Sequence, residues 1–309
     1  MSLPLSIILP NYNHAHFLGD AIESALSQTF TDFELIVIED GSSDNSLEVI
    51  QAYLKKDSRI KLIKHEKNKG IAEGVKSGLA SARGEYIHGL SATDCYLPGF
   101  LQKSMEKLLQ FPDIGLCCVD VGLFHGDTKL YHPYRLLENA PSTLVFPPSK
   151  IQKIFKYAHF TIPGLAAIIK RSSFNRYGGY RENLFFLSDT VLNQQTALFE
   201  GAIYIPETLV VFRKPGYSKV CSSDVYLRTK ALNHLRGLLL QPENRELLRK
   251  MSKAAVLGIL CKEQPVQCLK HPRFWSGYAH LVERYFYKRV RQFVAKPLVS
   301  VDFLRRHSL

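Results

Sequence analysis

The 309-residue sequence lacks long apolar runs, paired cysteine motifs and internal repeats. No run approaches the roughly 18 apolar residues that a membrane-spanning helix needs. The apolar run at residues 6–9 is short and has no basic flank, so we expect no signal peptide. The six cysteines show no C-x-x-C spacing, which predicts reduced, mostly buried thiols and neither a disulfide framework nor a zinc site. These absences predict a cytoplasmic protein, either soluble or at the inner face of the membrane.

Acidic residues are scarce relative to basic ones. The 28 Asp and Glu residues stand against 40 Lys and Arg residues, which gives a formal net charge of +12. Such an excess favours an anionic partner: a nucleotide, a nucleic acid or an acidic membrane surface. Charge alone does not choose among these partners. Acidic turns at the predicted strand ends argue against nucleic acid, so we predict no nucleic-acid partner.

The first 121 residues alternate between short β-branched runs and segments with helical periodicity. The runs that predict strands lie at residues 6–9, 33–38, 60–63, 86–90 and 114–121. Successive strands that are separated by a helix form a parallel sheet. We therefore predict an α/β fold of the Rossmann type, with a mixed, mostly parallel sheet flanked by helices.

The second half of the chain is less regular. Residues 130–149 contain four prolines and little periodicity, which predicts a long loop over the site. From about residue 225 the pattern becomes helical and basic. We therefore predict a domain at residues 1–221 and a basic helical extension at residues 222–309.

Polar turns follow the first two predicted strands, one with Tyr12 and one with Glu39 and Asp40. In parallel sheets ligands bind beyond the carboxyl ends of the strands, so we place the site at these turns. Tyr12 offers an aromatic ring there, and the carboxylates of Glu39 and Asp40 can each accept a hydrogen bond from a ligand. The alternative is that the acidic turn serves only as a turn and helix cap.

These turns belong to an ordered set of motifs. The set consists of LPNYN at 9–13, IEDGSSD at 38–44, NKG at 68–70, ARGEYI at 82–87, Asp94 with Pro98, YGGY at 177–180 and LSD at 187–189. With these motifs the sequence resembles the family 2 inverting glycosyltransferases of the GT-A fold, over roughly residues 3–218. The resemblance implies transfer of a sugar, with inversion, from a nucleotide-sugar donor to a glycan or lipid-linked acceptor. A UDP-type donor is the favoured one.

The resemblance also implies which residues bind the nucleotide sugar. They are Pro10, Tyr12, Asn13, Glu39, Asp40, Lys69, Gly70, Lys76, Thr93 and Asp94. The two lysines are placed to face the diphosphate, although solvated helix surface is the ordinary location of a lysine. Lys76 also stands where the family commonly has asparagine.

Residues 91–94 depart from the family pattern. The family usually has Asp-x-Asp here, and its acids hold Mg²⁺ or Mn²⁺ against the donor diphosphate. In this chain Ser91 and Thr93 replace potential acids, and Asp94 remains. Because divalent cations want oxygen ligands, Asp94 with diphosphate oxygens predicts a metal site that is weak or dispensable. The alternative is that Asp94 only caps the helix near Pro98.

A second departure lies at residues 211–216, where the family often has Arg-x-His. This chain has Arg213 and Lys214 and no histidine there, so either cation is a candidate for neutralising the diphosphate directly. Together, the two departures motivate a rival hypothesis. The protein would then be a degenerate member that binds a sugar nucleotide or glycan without turnover.

Asp189 is the general base that the resemblance implies. An acid in this place deprotonates the acceptor hydroxyl, so that its oxygen attacks the anomeric carbon. Residues 188–190 also have the composition of an ordinary helix N-terminus, and the helix dipole would keep the acid ionised. Catalysis and capping are compatible.

Residues 270–309 combine aromatic residues at helical spacing with basic residues that include Lys288, Arg289 and Arg291. Such a helix can lie on an anionic membrane surface as a peripheral contact. It can also pack on the catalytic domain with a solvated basic face, the interpretation that we favour.

Overall fold

The structure, a computed structural model, describes residues 4–124, 131–138, 140–158, 161–213 and 225–253. The strands are β1 (Leu5–Asn11), β2 (Phe33–Asp40), β3 (Ile60–His65), β4 (Tyr86–Gly89), β5 (Cys95–Tyr96), β6 (Leu116–Phe124), β7 (Tyr131–Tyr134), β8 (Leu144–Phe146), β9 (Ala167–Lys170) and β10 (Ala202–Phe212). The helices are α1 (Ala15–Leu26), α2 (Ser46–Leu54), α3 (Ile71–Ser81), α4 (Phe100–Gln110), α5 (Pro148–Ala158), α6 (Arg171–Arg176), α7 (Ser188–Glu200), α8 (Val225–Leu240) and α9 (Arg245–Lys253).

The strands form one mixed sheet in the order β3-β2-β1-β4-β9-β6-β10-β5. The pairs β1–β2, β2–β3, β1–β4 and β6–β10 are parallel, and β9 runs antiparallel to both β4 and β6. The carboxyl ends of β1, β2, β4, β6 and β10 therefore meet at one edge. The predicted mixed, mostly parallel α/β sheet is confirmed.

The buried faces of β1 and β2 explain why helices cover this sheet. Almost every residue of both strands is buried, which is typical of parallel strands with helices on both faces. Helix α3 packs against β1 and β2, and α1 packs against α2. The short apolar runs and the helical periodicity predicted these elements to within a few residues.

The prediction of a long loop at residues 130–149 is wrong. Two short strands lie there, β7 along β6 and β8 along the start of β10. Pro133 is tolerated in β7 because an edge strand does not need every backbone donor. The strands exist because neighbouring edges pair with them, and no local periodicity marks such pairing. Strand β8 lies at the end of β10 opposite to the carboxyl ends, so it does not cover the site.

Helices α8 and α9 join the extension to the α/β core. Leu235, Leu239 and Leu248 are buried in the same apolar cluster as the sheet, and α9 contacts α5 and α7. Within the described ranges, every helix is too short or too polar to span a bilayer. The boundary near residue 222, Lys214 and the basic stretch at 270–309 lie outside the described residues.

The described cysteines agree with the prediction of reduced thiols. Cys95, Cys117 and Cys118 are free, and the last two are buried. The remaining cysteines lie outside the described residues.

Candidate active site

A cavity of about 580 Å³ opens at the carboxyl-end edge of the sheet. Its walls come from the ends of β1, β2, β4 and β10 and from α3 and α7, which is where the order of the strands predicts a ligand site. Among the predicted residues, those in the wall are Pro10, Tyr12, Asp40, Gly70, Thr93, Asp94, Asp189 and also Arg213. Those outside the lining are Asn13, Glu39, Lys69 and Lys76.

Asp40 links the end of β2, through hydrogen bonds, to the turn at residues 68–70. Its Oδ1 accepts the backbone N–H of Lys69 at 2.9 Å and lies 2.7 Å from Nδ1 of His65. Its Oδ2 accepts the backbone N–H of Gly70 at 2.9 Å. The side chain is 6% exposed. This carboxylate therefore holds the backbone of the cavity wall in place and also borders the cavity.

Glu39 closes its own turn. Its two carboxylate oxygens accept the backbone N–H and the hydroxyl of Ser42 at 2.6 and 2.9 Å. The same Ser42 oxygen accepts the N–H of Asn13 at 3.0 Å, and the Asn13 side chain accepts the N–H of Ser43 at 2.8 Å. Glu39 and Asn13 therefore tie the two polar turns together behind the cavity wall.

The lysines contribute little to the lining. Lys69 supplies its backbone N–H to Asp40, whereas its side chain is not part of the wall. Lys76 pairs with Glu73 at 3.1 Å on an exposed helix face. Gly70, which precedes α3, is the residue of this segment that reaches the cavity together with Asn68.

Gly41 allows the turn after β2 to pack closely against the turn at residues 67–70. Its φ is +69°, and a Cβ there would lie 2.6 Å from the backbone of Lys67 and 2.7 Å from that of Asn68. We expect Gly41→Ala to lower the free energy of unfolding by about 1–3 kcal/mol more than Gly99→Ala does. Gly99 has a φ of +89°, but a Cβ there meets only the Lys103 side chain at ordinary contact distance. Urea denaturation of both variants measures the difference, and equal losses would contradict the close approach.

Asp94 is buried beside its neighbours in the altered motif. Its Oδ1 accepts the backbone N–H of Arg213 and the hydroxyl of Thr93, both at 3.2 Å. The hydroxyls of Ser91 and Thr93 bond to each other at 3.0 Å. Burial raises the pKa of Asp94 to about 7, although these hydrogen bonds act in the other direction. Helix α4 takes Gly99 as its N-cap, without a side-chain cap bond, so Asp94 does not cap it.

The donor set around Asp94 does not fit a resident metal ion. Across the described parts of the chain, no group of three or more His, Cys, Asp or Glu side chains is arranged to hold one. Residues 91–94 offer one carboxylate and two hydroxyls that already bond to each other. Mg²⁺ and Mn²⁺ require about six oxygen ligands. Most of these ligands would have to come from a diphosphate and water.

Arg213 brings a buried cation to the same wall. The side chain is 4% exposed, and its guanidinium lies between the rings of Phe17 and Phe124, 4.3 and 4.4 Å from their centroids. Its Nη2 is 3.7 Å from a carboxylate oxygen of Asp20. Among the described residues, Nε and Nη1 have no hydrogen-bond partner.

Asp189 lies in the first turn of α7 and faces the cavity. Its carboxylate accepts the backbone N–H of Thr190 at 2.6 Å and contacts Gly164, where a Cβ would collide with it. One face of the side chain stays exposed in the cavity, yet the surrounding protein limits its solvation and raises its pKa.

Three further lining residues carried no sequence signal for function. His88 is buried with Nδ1 2.9 Å from the Ala167 carbonyl, and burial lowers its pKa to about 4, so the ring is neutral at pH 7. Asn193 donates to the Pro163 carbonyl at 3.2 Å. Phe185 has a φ of +47°, which is costly for a bulky residue and which only tertiary contacts impose.

The comparisons with known sequences agree on one family. The model of Glycosyl transferase family 2 matches residues 6–178. An uncharacterized glycosyltransferase of Bacillus subtilis (strain 168), EpsJ, is 29% identical over 271 residues, 84% of this chain and 73% of that protein. An uncharacterized glycosyltransferase of Haemophilus influenzae is 40% identical over 111 residues, 36% of this chain and 44% of that protein.

Solved structures show the same fold. The Staphylococcus aureus TarS 1–349 structure in complex with UDP-GlcNAc has a TM-score of 0.61 at 14% identity and covers 92% of each chain. The mannosyltransferase PcManGT of Pyrobaculum calidifontis, in complex with GDP-Man and Mn²⁺, has a TM-score of 0.53 at 15% identity and covers 96% of this chain and 89% of its own. Because the family model matches more than half of the chain, the protein belongs to glycosyl transferase family 2 and is a glycosyltransferase with the GT-A fold.

Proposed function

We propose that the protein transfers a sugar from a nucleotide-sugar donor to a hydroxyl of a glycan or lipid-linked acceptor, with inversion at the anomeric carbon. One observation carries this proposal. The Asp189 carboxylate lines the same cavity as the two strand-end turns and Asp94. A base, a nucleotide-facing wall and a diphosphate-facing wall therefore meet in one cavity of about 580 Å³.

The nucleotide end of the donor is assigned to the turns after β1 and β2. Tyr12 offers a ring and Pro10 an apolar surface, while Asp40 holds the Gly70 turn in place beside them. UDP is the favoured nucleotide because the TarS neighbour was solved with UDP and with UDP-GlcNAc. The PcManGT neighbour was solved with GDP-Man, so a guanine donor belongs in the same experiment.

The reacting end of the donor is assigned to the space before Asp189. As the acceptor oxygen attacks the anomeric carbon, its proton passes to the Asp189 carboxylate, and the bond from that carbon to the diphosphate breaks. The raised pKa of Asp189 suits this role, because a base works best when its pKa approaches the operating pH. Attack opposite to the leaving diphosphate gives inversion.

The acceptor is assigned to the aromatic side of the cavity. Burial, and to a smaller extent the nearby Asp189 carboxylate, raises the pKa of Tyr180 to about 12, and Phe185 lines the same wall. Aromatic faces suit the apolar faces of sugar rings. The net charge of +12 suits an anionic lipid-linked acceptor, and the same proposal includes a cytoplasmic protein at the inner face of the membrane.

A panel of UDP-sugars and GDP-sugars, each with and without Mn²⁺, tests the proposal. We expect one donor to release nucleoside diphosphate at a rate that rises when a glycan or lipid-linked saccharide is added. Anomeric configuration of the product, measured by NMR, checks inversion. A protein that binds nucleoside diphosphates in a thermal-shift assay, yet turns over no donor with any acceptor, would instead be the degenerate binding protein.

A further inference from the structure

We propose that the guanidinium of Arg213, instead of a resident divalent cation, supplies the positive charge that stabilises the departing diphosphate. The inference rests on the proposed glycosyl transfer and concerns how that transfer is stabilised. It makes the reaction independent of added metal.

The position of Arg213 is the first argument. The backbone N–H of Arg213 bonds to Asp94, which occupies the place of the family's metal-holding acids. Both residues line the cavity, although 119 residues separate them in sequence. The backbone contact and the shared lining bring Arg213 to the wall where the family holds the diphosphate.

The state of the guanidinium is the second argument. Burying a charge is costly unless the charge is paired and hydrogen-bonded. The Phe17 and Phe124 rings hold the group from two sides through cation–π contacts, and Asp20 lies 3.7 Å away on a partly exposed helix face. Within the described structure, Nε and Nη1 still have no acceptor. Both nitrogens are buried, so a phosphate in the cavity would reach them after a small shift of the side chain and would then be bound through parallel N–H bonds, as arginine binds phosphate elsewhere.

The chemistry of the altered motif is the third argument. A divalent ion at Asp94 would add two positive charges near the guanidinium, and the protein offers the carboxylates of Asp94 and Asp20 to offset all three. The hydroxyls of Ser91 and Thr93, which replace the family's acids, add no charge. Arg213 thus supplies a fixed cation in a place where the protein offers a metal too few ligands.

The reaction balances without a metal. The acceptor oxygen forms a bond to the anomeric carbon, and the bond between that carbon and the diphosphate oxygen breaks. The electron pair of the broken bond stays on the diphosphate, whose added charge the Arg213 N–H groups meet. The acceptor proton goes to Asp189, and no oxidant or reductant takes part.

Wild-type protein in EDTA is the first measurement. We expect wild-type turnover of the identified donor to stay within about twofold of its value in Mn²⁺, and calorimetry to show UDP or GDP binding without metal. Loss of turnover in EDTA, with recovery in Mn²⁺, would overturn the inference while leaving the proposed glycosyl transfer intact. Absence of turnover under both conditions would instead count against the transfer itself.

Arg213→Gln and Arg213→Lys are the second measurement. We expect Arg213→Gln to weaken nucleoside diphosphate binding about 10- to 100-fold in EDTA, with the affinity for the uncharged nucleoside unchanged. Lysine keeps the charge but loses the forked donors. The affinity of Arg213→Lys for the nucleoside diphosphate should therefore lie between those of the wild type and Arg213→Gln.

Arg59→Gln is the matched control. Arg59 also stacks on an aromatic ring, that of Phe33 at 4.6 Å, but it pairs with Asp57 and lies away from the cavity. We expect this variant to bind nucleoside diphosphates like the wild type. Equal affinities of Arg213→Gln and Arg59→Gln for the diphosphate, in folded protein, would overturn the inference.

Discussion

Asp189→Asn is expected to lower kcat by about 10²- to 10⁴-fold, the usual contribution of a general base, with donor affinity nearly unchanged. Asparagine keeps the size of the side chain and its ability to accept the Thr190 N–H, so the start of α7 should hold. The variant removes the proton acceptor and little else. Circular dichroism and calorimetry with the nucleoside diphosphate check that the fold and the donor site survive.

The pH dependence of kcat also tests the assignment of Asp189 as the base. A general base works when it is deprotonated, so kcat should rise with pH through the Asp189 pKa, which enclosure places above the ordinary aspartate value. That rising limb should disappear in Asp189→Asn. A variant as fast as the wild type, or one with an unchanged limb, would assign the base to another group.

Gly164→Ala tests the position of the same carboxylate without removing it. A Cβ at Gly164 collides with the Asp189 side chain, whereas a Cβ at Gly89, also in the cavity wall, meets nothing within 4 Å. We expect Gly164→Ala to lower kcat at least tenfold, because small displacements of a reacting group are costly. Gly89→Ala should leave kcat within about twofold of the wild type.

Asp40→Ala is expected to lower the free energy of unfolding by about 1–3 kcal/mol, because it removes the acceptor of the Lys69 N–H and of the buried His65 ring and leaves Gly70 with Asn68 alone. Nucleoside diphosphate binding should weaken by at least about 1 kcal/mol, since Asp40 faces the cavity and holds the Gly70 turn. Urea denaturation and calorimetry measure the two effects.

Two further variants separate stability from binding. Glu39→Ala removes the bonds to Ser42 behind the wall, so it should destabilise the protein with a smaller effect on the nucleotide. Glu73→Ala removes an exposed partner of Lys76 and should cost less than about 0.5 kcal/mol. If Asp40→Ala remains as stable as Glu73→Ala, the carboxylate does not hold the turn as the structure indicates.

The sequence predicted the elements around the first strands because their signals are local. Residues 33–38 form a mostly apolar run that ends in three β-branched residues, and the following polar turn marks where the strand ends. Strand polarity then places both early turns at one edge of the sheet. The cavity found there agrees with that prediction, and the ordered motifs identified the family.

Other predictions failed or stayed incomplete because the deciding contacts are long-range. Residues 130–149 have no periodicity, yet β7 and β8 form there because open edges of β6 and β10 accept them. Lys69 and Lys76 belong to the right segment, but only tertiary packing decides that their side chains lie outside the cavity lining. A side chain's direction across a turn depends on what it packs against.

The sequence by itself therefore determined the α/β class, the order of the early elements and the acidic turns, because each depends on residues within one element. Tertiary structure decided the chemistry of the wall. It placed Arg213 beside Asp94 and between two aromatic rings, and it enclosed Asp189 enough to raise its pKa. Charge burial and hydrogen bonding between distant residues set these properties, and the pairing of distant strands brings such residues together.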